Sequence, residues 1–183
     1  MSKNILVLTG SPRKGGNSEL LADAFIQGAM ENGHTINKFE TAFKSIHGCS
    51  ACEACWNNGK VCVFEDDFIE LVQFLKVADV LVLCTPVYWF GMTAQIKLAI
   101  DRLFTFMNPK CPNKLKIKES CLIACAEDSD EKVFDGTIGT YKGIVDYLEW
   151  EDRGILTVPS VYKIGDVLET GAIAKALKMG NSI

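Results

Sequence analysis

Two stretches of the chain carry residue types at spacings that can do chemistry. The first is Gly10-Ser11-Pro12-Arg13-Lys14-Gly15-Gly16-Asn17-Ser18. An apolar run at 5–8 precedes it and an amphipathic pattern follows from Glu19, so it reads as the turn from a buried strand into a helix. Unpaired N–H groups at a helix start, with the positive end of the helix dipole behind them, bind an anionic group. Ser11, Asn17 and Ser18 can add side-chain hydrogen bonds, and Arg13 or Lys14 can add charge. A Walker loop is excluded, because Gly15 is followed by Gly16-Asn17-Ser18 and no lysine. A dinucleotide fingerprint is excluded too, since Gly10, Gly15 and Gly16 do not fall at G-x-G-x-x-G spacing. The loop suits one phosphate monoester without a metal; the plainer alternative is an ordinary βα turn.

The second stretch is Cys49-x2-Cys52-x2-Cys55-x6-Cys62. Thiols at i, i+3 and i+6 can face inward around a compact [4Fe–4S] cluster, with a fourth supplied by a short loop. The spacing departs from the bacterial ferredoxin run, and no proline follows Cys62. Four thiolates could instead hold a structural zinc, Cys52 and Cys55 could form a thiol/disulfide couple, or the loop could hold no metal. Of the other four cysteines, Cys84, Cys121 and Cys125 sit in apolar runs and read as small buried hydrophobes. Cys111 falls in a polar loop.

The elements that must position these residues follow from the hydrophobic pattern. The 183 residues predict one domain, 1–183, with a substantial core. A hydrophobic fraction of 48% and a charged fraction of 23% are those of a globular protein. The net charge of −4 gives no basic footprint for nucleic acid. No apolar stretch approaches membrane-spanning length and the N-terminal run is too short for a signal sequence, so the expected location is cytoplasmic, where clustered thiols imply metal, redox or catalytic use. Strands are predicted at 5–8, 35–39, 80–84, 122–125 and 155–158. Helices are predicted after 18, 66, 93, 137 and 172, the stripe of Ile96, Ala99, Ile100, Leu103, Phe104 and Met107 being the clearest. Strands alternating with helices imply a doubly wound, flavodoxin-like parallel sheet of five strands in three α/β/α layers, with the cysteine-rich loop (about 45–66) inserted before the second helix.

In such a sheet ligands bind beyond the carboxyl ends of the strands, at the point where strand order reverses. The loops at 10–18, 85–91 and 126–130 then share one edge. The middle one holds Pro86-Val87-Tyr88-Trp89-Phe90-Gly91, whose consecutive aromatics can bracket a flat heterocycle. Together with the phosphate loop, this reads as a mononucleotide site, with FMN as the flat, one-phosphate candidate.

These residues, together with Asp66-Asp67, Ala78-Asp79, Lys97 and Asp101-Arg102, resemble the NADPH-dependent FMN reductase family, and within it most nearly the iron–sulfur flavoprotein branch. The resemblance covers residues 3 to about 105 with specific motifs. It implies a flavodoxin-like fold, non-covalent FMN, and assembly as a homodimer or dimer of dimers. It places Ser11, Arg13, Asn17 and Ser18 on the FMN phosphate and Pro86, Val87, Tyr88, Trp89 and Gly91 along the isoalloxazine. The third loop, often glycine-rich in the family, is Glu127-Asp128-Ser129 here, and carboxylates beside the ring would lower its potential. The cysteines, Cys49, Cys52, Cys55 and Cys62, match the arrangement that holds a [4Fe–4S] cluster in iron–sulfur flavoproteins.

The expected activity is FMN-dependent electron transfer from NAD(P)H to a quinone, flavin or similar small acceptor. The alternative is an electron carrier between a [4Fe–4S] cluster, FMN and a partner protein. No catalytic triad is expected, and neither His34 nor His47 has the context of an acid–base residue. Phe104, Phe106 and Met107 exceed what one core-facing stripe needs, which predicts a self-association surface.

Overall fold

The computed structural model describes residues 1–57, 60–109 and 114–183; Cys111 lies outside the described residues. The first strand, β1 (Asn4–Thr9), enters α1 (Asn17–Glu31) through the glycine loop. Next come β2 (Thr35–Glu40), a four-residue helix α2 (Ala54–Asn57) inside the cysteine-rich segment, and α3 (Phe68–Leu75). The central strand β3 (Val80–Tyr88) turns into the two-residue β4 (Gly91–Met92) and α4 (Ala94–Asp101). The chain closes with β5 (Glu119–Cys125), α5 (Asp135–Tyr147), β6 (Glu151–Val158) and α6 (Ala172–Asn181).

The sheet runs β2-β1-β3-β5-β6 with all four neighbouring pairs parallel, and β4 pairs antiparallel with β3. This is the five-stranded flavodoxin-like order expected from the sequence. Side chains alternate between two cores, as period-two geometry demands. Leu6, Leu8, Leu81, Leu83 and Leu122 pack on the side of α3 and α5, whereas Ile5, Val7, Val82, Cys84 and Ile123 pack against α1 and α6. Burial on both faces explains why these strands read as continuous apolar runs.

Two local differences from the sequence reading matter. β3 runs four residues beyond its apolar stretch, so Thr85–Tyr88 continue the strand and Val87 and Tyr88 pair with Met92 and Gly91. After α4 the chain tightens into a 3₁₀ turn over Arg102–Met107. Three residues per turn re-phase the side chains: Phe106 is buried rather than adding to an exposed surplus, and Phe104 points out.

Helices α1 and α6 pack backbone against backbone. A Cβ on Gly28 would sit 2.0 Å from the Leu177 carbonyl oxygen, and one on Gly180 would sit 2.0 Å from that of Phe25. Gly28→Ala and Gly180→Ala should each destabilise the protein by about 1–3 kcal/mol through overpacking against backbone, outweighing the roughly 1 kcal/mol that alanine gains over glycine in a helix. Urea unfolding of the two variants checks the sign.

Candidate functional site

The switch in strand order lies between β1 and β3, and a cleft of about 340 Å³ opens there beyond the carboxyl ends of the strands. The size is that of a small-ligand pocket. The turn that leads into it starts at Gly10, whose N–H donates to the Cys84 carbonyl at 2.9 Å and whose carbonyl accepts the Thr93 hydroxyl at 2.8 Å. Only glycine allows this approach, because a Cβ at position 10 would meet Thr93 Oγ1 at 2.4 Å. The Ser11 hydroxyl oxygen accepts the Arg13 amide at 3.1 Å and bends the chain toward α1.

Gly16 caps α1 in extended conformation and has no side chain to offer the first-turn amides. A Cβ there would press on the Arg13 carbonyl oxygen at 2.9 Å, so the turn itself forbids the usual serine or aspartate cap. The Glu19 carboxylate, which would oppose an anion, is turned aside: it accepts the Gly15 amide at 2.6 Å and meets Lys38 at 3.1 Å. The burial that would raise its pKa is outweighed by these two partners, and its pKa is lowered. An uncapped helix start with its own carboxylate neutralised fits a phosphate.

The aromatic stretch forms a two-residue hairpin loop between β3 and β4. Trp89 and Phe90 both have positive φ, 47° and 63°. That is the conformation Asn-Gly adopts at low cost and bulky residues adopt with strain. Trp89 is 95% exposed, so core packing does not account for it. The tip is held from behind by α5: Gly136 lies so close that a Cβ would meet the Phe90 carbonyl oxygen at 2.1 Å. A strained, rigidly mounted and solvent-facing indole beside an anion cradle fits the flat ring of the expected cofactor.

Of the residues named from the sequence, Ser11, Arg13, Asn17, Ser18, Pro86, Val87, Tyr88, Trp89 and Glu127 line this one cleft. Lys14, Gly91 and Asp128 are not among its lining. The Lys14 ammonium sits 5.0 Å from the Phe43 ring, Gly91 pairs with Tyr88 in the hairpin, and Asp128 folds back to accept the Asp130 amide at 2.9 Å. The cleft also recruits Cys125 and Ala126 at the end of β5, and Val161, Tyr162 and Ile164 after β6. The fourth loop follows from the same carboxyl-end rule applied to the last strand; its Tyr162 was the readable signal. Cys125 is buried beneath the cleft beside the Ser18 side chain, and burial pushes its thiol up to about 12. Such burial favours the protonated thiol, the form that packs as a small hydrophobe.

The cysteine-rich segment is docked away from this cleft on the 3₁₀ turn after α4. The Trp56 ring stacks on Phe104 at 5.2 Å, and the Asn108 side-chain amide donates to the Trp56 carbonyl at 3.2 Å. Below it, buried Arg102 pairs with Asp66, whose carboxylate also accepts the amides of His47 at 2.8 Å and Phe68 at 3.1 Å. Cys49 and Cys52 are exposed, and Cys55 and Cys62 are half-buried. Hydrogen bonds from the Ala54 amide and Ser50 lower the Cys52 thiol, whereas burial raises that of Cys55. Among the described residues no three His, Cys, Asp or Glu side chains group as a site for a metal ion. The donor chemistry suits iron or zinc, but the thiols do not form a preformed cage.

The model of the NADPH-dependent FMN reductase family matches residues 3–126. An iron–sulfur flavoprotein of Archaeoglobus fulgidus is 35% identical over 99 residues, which is 54% of this chain and 44% of that protein. The Bacillus subtilis protein named NAD(P)H-dependent FMN-containing oxidoreductase YwqN is 28% identical over 129 residues, 68% of this chain and 67% of that one. The chain thus spans about half the length of the iron–sulfur flavoproteins it matches. In fold it is similar to an NAD(P)H:quinone oxidoreductase from Methanothermobacter marburgensis, with a TM-score of 0.75 at 16% identity over 99% of this chain and 96% of that one.

Two outcomes follow from this geometry. Replacing Trp89-Phe90 with Asn-Gly should relieve backbone strain and stabilise the fold by about 1–3 kcal/mol while weakening flavin binding, as thermal unfolding and flavin titration would record. For Asp66, burial alone would raise the pKa, but the His47 amide and the Arg102 guanidinium outweigh it and leave the pKa below the ordinary 3.8. The stabilisation is therefore complete above that ordinary value and fades as pH falls through the lower folded one. Asp66→Asn should cost about 3–5 kcal/mol at neutral pH by stranding Arg102, and should flatten the acid limb of a stability–pH profile.

Proposed function

The chain belongs to the NADPH-dependent FMN reductase family, and we propose that it is an FMN-dependent oxidoreductase taking electrons from NAD(P)H to a small acceptor such as a quinone or flavin. The observation that carries this reading is one cleft lined both by the glycine-capped start of α1 and by the strained aromatic hairpin. Bound FMN supplies hydride acceptance and onward electron delivery. The protein's part is placement. Ser11, Ser18, Arg13 and the first-turn amides of α1 hold the phosphate, and Pro86, Val87, Tyr88 and Trp89 hold the ring. Glu127, in the loop just after β5, brings negative charge to the cleft and would disfavour a reduced, anionic flavin. Neither histidine lines the cleft: His34 accepts the Lys3 amide at 3.1 Å and His47 pairs with Asp66. Hydride transfer to a flavin asks for no acid–base side chain there.

A second reading is supported by the cysteine spacing and the iron–sulfur names of the relatives: an electron carrier linking FMN to a [4Fe–4S] cluster and a partner protein. Among the described residues the thiols as they stand do not form its cage. The unpaired state of the seven described cysteines fits a reducing, cytoplasmic setting. Self-association is part of the proposal. A groove between α4 and α5 carries exposed Phe104 and Tyr147 beside Gly139 and Gly143, where an added Cβ would meet nothing within 4 Å. Projecting rings and vacant space on one patch are what a two-fold, self-complementary contact needs.

The first reading predicts that anaerobic protein titrated with FMN binds it, and that NADPH then bleaches the flavin band within seconds. Ser11→Ala should weaken FMN about tenfold and leave riboflavin within about twofold, since the phosphate alone is affected. Bleaching that waits for reduced ferredoxin, with iron and sulfide found by analysis, would favour the carrier. Gly143→Leu should shift a dimer to monomer in sedimentation without loss of thermal stability.

A further inference from the structure

Asn17 does not present its side chain as a free phosphate ligand. Its Oδ1 accepts two amides, Gly165 at 3.1 Å and Val167 at 3.2 Å, and its Nδ2 donates to the Lys163 carbonyl at 2.9 Å. The acceptor is saturated and one donor proton is spent, on a side chain 9% exposed. All three partners belong to the loop after β6.

That loop has few other ties near its tip. At its base Val161 donates to the Ala126 carbonyl at 2.9 Å, and within it the Asp166 carboxylate accepts the amides of Tyr162 and Lys163. Gly165, with φ of 93°, gives the sharp bend that aims its amide at Asn17. Tyr162 and Ile164, both more than half exposed, line the cleft from this loop. Arg13 adds a second stitch from the phosphate turn: its guanidinium donates to the Tyr162 carbonyl at 3.1 Å and lies 5.3 Å from the Tyr162 ring. Two residues of the phosphate turn and helix start thus hold the loop to the cleft.

We propose that Asn17 is a positioning residue: its amide fixes the loop after β6 as a wall of the flavin cleft, so that Tyr162 and Ile164 contact the non-phosphate part of the flavin. This rests on the FMN reading above and deepens it. An asparagine bound to phosphate would matter for FMN alone. One that builds a wall matters for FMN and riboflavin alike.

The test compares wild type, Asn17→Ala, Tyr162→Ala/Ile164→Ala and the triple variant. Amide hydrogen exchange is read on cofactor-free protein, and FMN and riboflavin affinities by flavin fluorescence. Asn17→Ala should speed exchange at Gly165 and Val167 at least about tenfold and weaken both flavins by the same factor, about tenfold. In the Tyr162→Ala/Ile164→Ala background the same change should cost no more than about twofold, the non-additivity expected of residues acting as a unit. Loss of FMN affinity with riboflavin unchanged, or unchanged exchange at both amides, would overturn the proposal. Should Asn17→Ala not fold, Asn17→Ser removes the Oδ1 acceptor and the Nδ2 donor while keeping a small polar side chain, and should raise exchange at both amides by less than about tenfold; no change there overturns the proposal equally. Wild-type protein that takes up neither flavin overturns the cofactor reading, a failure visible before any variant is made.

Discussion

The first turn of α1 keeps its amide donors available because nothing larger than glycine fits at position 16. The Arg13 carbonyl closes that space, so the chain enters the helix without a capping side chain. A helix end left with unpaired donors is unfavourable unless water or an anion satisfies them. Much of the surrounding architecture protects that choice. Lys38 and the Gly15 amide hold Glu19 away from the cradle. Thr93 ties α4 to Gly10. The strand order reverses at this place and opens the space for a ligand.

The aromatic hairpin follows a similar logic with a different cost. Consecutive positive φ values at Trp89 and Phe90 are unfavourable for side chains with a Cβ, and such strain persists only where neighbours fix the backbone. The neighbours here are the β3–β4 pairing on one side and the α5 start on the other, brought into contact by Gly136. Stability is given up at the tip so that an indole stands in solvent over the cleft. This is the usual relation between a binding surface and the scaffold beneath it.

The cysteine-rich segment obeys a third constraint. It has little core of its own and is held by its base: Asp66 and Arg102 below, the 3₁₀ turn alongside. Buried thiols such as Cys84 resist ionisation because the thiolate would be desolvated. Cys52, solvent-exposed and hydrogen-bonded by a backbone amide, ionises more readily. Among the described cysteines, the three in the sheet are buried and the four of the cysteine-rich segment are exposed or half-buried.

Much of this was legible in the residues. Continuous apolar runs marked β1, β3 and β5, because strands covered on both faces must be apolar throughout. Gly10, Gly16 and the triplet Tyr88-Trp89-Phe90 marked two loops of the cleft, since close approach and ring binding demand those residue types. What the sequence determined, then, was the sheet, its layers and the chemistry of the two loops that stand next to their strands. Only the tertiary structure decided that Asn17 would spend its amide on a loop almost 150 residues away, that Lys14 and Asp128 would turn from the cleft, and that Phe106 would face inward. Local pattern specifies which face of an element is buried. The partners of a polar side chain depend on which distant segments the fold brings to the same sheet edge, and no spacing along the chain encodes that meeting.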